Sequence, residues 1–309
     1  MAGKKIQTQS KELAKAKRIE QLLTMAWNTT SRARILAITS QILELDPDNI
    51  EAMVLKADRI ENPEKRLEIL EHAFNVLNSV EHLKHELRIM YRIALLQRLS
   101  YVCYGFGRHN KAFEYCNEAI TFSEENFDPE EDENYISMKS MRYRLLIEKK
   151  QWQTILAYSM KDEDRTPGWA YSRLIAAWVL SPKNKRQLSC AKLFWDALLT
   201  GTDIPFYMLG FFEEPDYDDD EETREEFDFS IMYYDVLSVT DDFYNWFSRG
   251  VVLFGLLTNR FEGKERDYMI DALDSLGGFH DYEKMSKILV EGDDMSVIEA
   301  MAANKCLLD

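Results

Sequence analysis

A chain of 309 residues that is 46% hydrophobic and 12% aromatic can bury a large core, which excludes a disordered segment. Its formal net charge of −16, from 38 basic against 54 acidic residues, sets up a long-range field that repels phosphate backbones and anionic bilayers. Nucleic acid and membrane are therefore not expected as partners of the whole molecule. Gly (12) and Pro (7) are scarce, and the periodic runs between them are rich in Ala, Leu, Ile, Met, Glu and Lys, which predicts an all-α fold.

The four cysteines, Cys103, Cys116, Cys190 and Cys306, are far apart, and buried free thiols in a reducing compartment are the expectation. The first residues lack the apolar core of a signal peptide, and the longest apolar runs, 174–180 and 250–257, are too short to span a bilayer. A cytoplasmic protein is expected.

Taken in order, residues 10–28 predict an amphipathic helix with Leu13, Ile19, Leu22, Leu23 and Trp27 near one face. Lys4, Lys5, Lys11, Lys15, Lys17 and Arg18 share this helix, and a solvated face outweighs a local anionic contact. A second helix over 31–45 stops at Leu45-Asp46-Pro47-Asp48-Asn49, where Pro47 cannot continue and Asp48 or Asn49 can cap the next element. Residues 50–60 and 64–78 predict another pair, joined at Glu61-Asn62-Pro63 with Asn62 as N-cap and Pro63 at the first helical position. A longer charged helix from His82 to about Arg98 follows.

Leu96, Leu99 and Cys103 then recur at helical spacing before Gly107-Arg108-His109-Asn110, and Ala112, Tyr115, Cys116, Ala119 and Ile120 recur after it. This stretch, 94–126, resembles one unit of the tetratricopeptide (TPR) repeat family. Gly107 matches the turn glycine of the roughly 34-residue repeat, Ala112 and Ala119 its two small second-helix positions, and Leu99 its first-helix leucine. It departs from the family where Ser100 replaces Gly, Cys103 replaces Tyr and Glu124 replaces Pro. The resemblance implies a TPR-like α-solenoid of antiparallel helix pairs, because each pair has an apolar stripe that only its neighbours can bury.

Further pairs are predicted over 134–149 with 151–160, and over 168–181 with 186–200. Residues 201–228 hold a long acidic run, Glu213 to Asp228, and read as an acidic linker or loop. Helices near 229–237, 241–259, 264–276, 280–291 and 294–305, with stops at Gly277-Gly278 and Gly292, read as C-terminal capping helices. The expected organisation is repeats over 1–200, a linker over 201–228 and a helical capping region over 229–309.

Candidate chemistry is thin. Asp216, Asp218 and Asp220 share the odd spacing of an EF-hand loop, but that loop needs Gly at its sixth position and Glu at its twelfth, where Glu221 and Phe227 stand. His82 and His85 lie three apart on a helix without the further ligands that zinc needs. No G-x-S-x-G, H-E-x-x-H, Walker or G-x-G-x-x-G pattern occurs, so no enzyme, metal or cofactor is expected.

In the TPR family the first helix of each pair lines the concave surface, with the exposed positions between the core ones. Carried over, those positions are Gln97, Tyr101 and Tyr104, and Tyr143 and Arg144 on the third such helix extend them. Tyrosines one turn apart suit a binding surface; packing against the neighbouring pair is the competing role. The expected function is a non-enzymatic scaffold binding a protein or peptide in that groove. The alternative is a ligand- or peptide-sensing regulatory domain linked to transcription control. The oligomeric state stays open.

Overall fold

A computed structural model of the chain describes residues 2–80, 83–127, 133–161, 166–216, 219–289 and 293–308. The described residues are all-helical, without strands, and none of their helices is long and apolar enough to cross a membrane. The chain divides into two compact units, Met1–Met138 and Lys139–Asp309.

The first unit is built from α1 (Ala2–Trp27), α2 (Arg32–Leu45), α3 (Ile50–Ala57), α4 (Pro63–Ser79), α5 (His85–Gly105) and α6 (His109–Asn126), and it takes in the start of α7 (Glu133–Glu148). From α1 to α6 each helix packs on the next, and α3 also meets α5. The boundaries follow local chemistry. The Asn49 side chain accepts from the Ala52 amide at 3.0 Å, and Asn62 accepts from the Lys65 amide at 2.9 Å with Pro63 behind it, so both expected caps are in place.

The charged helix and the first repeat helix expected separately form one continuous α5. Gly107 turns the chain with φ +67°, a conformation costly for any residue with a Cβ. Ala112 and Ala119 are fully buried. The buried Ser100 hydroxyl donates to the Ala112 carbonyl at 3.1 Å, a side-chain bond between α5 and α6.

In the second unit α8 (Trp152–Ser159), α9 (Pro167–Leu180) and α10 (Arg186–Leu198) pack in sequence. Beyond them come α11 (Ile204–Leu209), α12 (Glu221–Tyr233), α13 (Asp241–Leu257), α14 (Gly263–Ser275), α15 (Phe279–Ser286) and α16 (Asp294–Ala303). Helix α13 is the hub: it is buried from Trp246 to Leu256 and touches α11, α14, α15 and α16. Trp178 of α9 lies 4.7 Å from Trp246 between ring centroids, and Phe194 of α10 lies 5.5 Å from Phe247.

The expected division at 200 and 228 therefore runs through a single compact unit, because aromatic side chains on either side of it share one core. Nor do residues 201–228 form a loop throughout. Helix α11 is buried through Ile204, Pro205 and Phe206, and α12 starts within the acidic run, where Asp220 accepts from the Thr223 amide at 2.8 Å. The expected stop at Gly277 is present, with φ +77°; Gly292 lies outside the described residues. All four cysteines are buried thiols outside any disulfide.

Candidate functional site

Helix α5 places Gln97 and Tyr101 one turn apart on the face that its core positions, Leu95, Leu96, Leu99 and Cys103, leave free. Both line a pocket of about 300 Å³ where α5 meets the end of α3 and the start of α4. Leu70 and Val102 supply its apolar wall, and Asp58, Arg66 and Arg98 its charged rim.

These charges are held in place. Arg98 grips Asp58 in a two-pronged pair, Nε to Oδ1 at 2.8 Å and Nη2 to Oδ2 at 2.9 Å. Arg66 donates to the Ile60 carbonyl through Nε at 3.2 Å and Nη2 at 2.7 Å. The Tyr101 ring is 36% exposed, and its hydroxyl shares a 2.8 Å hydrogen bond with Ser137. Partial burial raises its phenol above the ordinary range, against the downward pull of that hydrogen bond. The lining contains no Ser, Cys or His, so no nucleophile–base pair is assembled there. The arrangement suits a short amphipathic group: apolar wall, fixed charges and a tyrosine on the rim.

A wider groove of about 470 Å³ lies between α1 and α3. Ile19, Leu23 and Trp27 line it with Glu20, Asp46 and Glu51. Glu51 ties three alternate helices together: the Trp27 indole of α1 donates to it at 2.6 Å and the Tyr91 hydroxyl of α5 at 3.3 Å. Burial, then the charge of Glu51 and its hydrogen bond, push the Tyr91 phenol up to about 12. Sequence periodicity flags neither Glu51 nor Asp58 as a site residue. Their local signatures are slight, an acidic side chain between core positions of α3 for Glu51 and the residue just past its end for Asp58, and their partners lie 24 and 40 residues away.

The other expected site residues are placed differently. Tyr104 is half-buried and stacks on the His109 ring, with centroids 5.7 Å apart. Tyr143 is fully buried, and Arg144 is buried in the second unit, where Nε donates to the Met232 carbonyl at 2.8 Å and Nη2 meets Asp235 and Glu148, each at 2.7 Å. Neither offers the outward surface expected of it, because residues 138–147 are buried on every side of α7, including Lys139, Ser140 and Arg142.

His85 is exposed in the first turn of α5, while His82 lies outside the described residues. Asp220 caps α12 and Asp219 accepts from the Asp216 amide at 2.6 Å; Asp218 lies outside the described residues. Among the described residues no group of three or more His, Cys, Asp or Glu side chains is arranged to hold a metal.

Comparison with protein-family models, with curated protein sequences and with solved structures returned no match.

Proposed function

We propose that the first unit is a non-enzymatic binding scaffold that takes a peptide or a segment of another protein in the groove of a TPR-like solenoid. The observation that carries this reading is the meeting of Gln97 and Tyr101 on one pocket with the fixed Asp58–Arg98 pair. The sequential packing from α1 to α6, with α3 also on α5, supports a stack of helix pairs whose first helices are neighbours. Buried thiols outside any disulfide fit a cytoplasmic setting.

The test is selection of peptides from a displayed random library on the intact chain, followed by titration of the selected peptides against Tyr101→Ala and Gln97→Ala. Both side chains lie at the surface, so circular dichroism should remain that of the parent. The expected result is a loss of affinity of tenfold or more in Tyr101→Ala, in line with an aromatic anchor worth about 1.4 kcal/mol or more. Equal affinity in both variants overturns the site.

A further inference from the structure

Helix α1 is longer than its support. The stretch from residue 19 to 27 packs through Ile19, Leu22, Leu23 and Ala26 on Ile38 and Ile42 of α2 and on Ala52 and Leu55 of α3. Every side chain from Lys11 to Arg18 is exposed, on all sides of the helix. An isolated helical arm of this kind is marginal in water, and a helix bare all round calls for something to cover it.

The arm carries a pattern that says what covers it. Leu13, Ala16, Glu20, Leu23 and Trp27 recur at alternating steps of three and four, the spacing of a two-stranded helical seam. The last four of these line the groove between α1 and α3, and Leu13 continues the same stripe onto the arm, where it is 60% exposed. The charges are split along the helix. The arm has Lys11, Lys15, Lys17 and Arg18 against Glu12, whereas the groove has Glu20, Asp46 and Glu51 and no basic residue in its lining. A parallel pairing of two such helices sets basic on basic, and an antiparallel one sets each basic arm on an acidic groove.

We propose that a second copy of this chain covers the arm: the α1 helices of two copies pair antiparallel, with Leu13 of each seated in the α1–α3 groove of the other. The contact is self-complementary and closes around a two-fold axis, so it forms twice and stops at a dimer.

Sedimentation velocity of the full chain over a concentration series tests this. A reversible monomer–dimer equilibrium that weakens with added salt is expected. Leu13→Glu alters an exposed residue outside the α1–α3 core, so the near-ultraviolet circular dichroism of the buried aromatic side chains should be kept, and no helicity beyond that of the arm lost, when the dimer is lost.

Two charge variants complete the test. Lys11→Glu with Lys15→Glu makes the arm acidic, and Glu20→Lys with Asp46→Lys makes the groove basic. Each alone is expected to be monomeric, and their equimolar mixture to recover the dimer, because both arm–groove contacts are then opposite in charge. A parent chain that stays monomeric, including one whose arm instead binds phosphatidylserine vesicles, overturns the proposal. So does a dimer indifferent to Leu13→Glu, or a mixture that stays monomeric.

Discussion

Glu226 on α12 accepts a hydrogen bond from the backbone amide of Asp203 at 3.1 Å, although the Asp203 carboxylate belongs to the same cluster. Arg260 binds that carboxylate and also Asp294, so it offsets only part of the negative charge. Burial first, and the charge of Asp203 second, push the Glu226 carboxyl up to about 7. The Asp203 amide and Arg260 pull it down; Glu222 adds to the rise, and Tyr171 and Tyr207 also feel its charge.

A raised folded-state value means that the folded chain holds a proton the unfolded chain has released. Stability from this group is therefore full below the unfolded value of 4.5 and declines as pH rises through about 7. Glu226→Gln keeps an acceptor for the Asp203 amide and removes the titration. Urea midpoints should coincide at pH 5, and at pH 8 the variant should be more stable by on the order of 1 kcal/mol, a figure reduced for the group's partial exposure. A difference that is the same at both pH values would contradict the assignment.

How far this arrangement could be read from the sequence depends on the range of the interactions. Asn49, Asn62, Pro63 and Gly107 act on their own turns, so the helix ends of the first unit were legible in the local chemistry. Helix α12 was not, since its charges read as a solvated loop. Phe227 and Phe229 nonetheless pack on Tyr207 and Tyr171, with centroids 5.5 and 5.7 Å apart. Helix α7 misled for the same reason: the partners of Arg144 lie 88 and 91 residues along the chain. Gln97 and Tyr101 could be selected because they fall between core positions, but Asp58 becomes visible as part of the same pocket only once α3 is set against α5.

The Asp58–Arg98 pair is about a third exposed on both sides, so its worth as a pair is about 1 kcal/mol or less despite good geometry. Asp58→Ala, Arg98→Ala and the double variant, followed by thermal unfolding, give the coupling. The same cycle run on binding of a selected peptide should show a penalty for both single variants, since Asp58 and Arg98 both line the pocket.

Glycine at 255 is required by close approach. A Cβ there would sit 2.4 Å from Phe261 and 2.7 Å from Phe206, both fully buried rings. Gly255→Ala should destabilise the chain by about 1–3 kcal/mol, the usual cost of overpacking a core, although it raises helix propensity. A lower urea midpoint checks it. A rise in the midpoint would mean that the two rings move aside freely.

Arg144 supplies the sharpest separation between a folding role and a binding role. Its guanidinium is nearly fully buried, and it satisfies the Met232 carbonyl as well as Asp235 and Glu148. Arg144→Ala deletes these polar contacts together. Asp235 and Glu148 are partly exposed and can regain water, so the loss centres on the Met232 carbonyl and on the volume of the side chain. A destabilisation of roughly 2–4 kcal/mol follows, read as a lower urea midpoint. Arg144→Lys should recover only a fraction, because an ammonium cannot span the carbonyl and a carboxylate with one planar fork. If Arg144→Ala leaves the midpoint unchanged and weakens binding of a selected peptide, the side chain serves the groove and its burial is incidental.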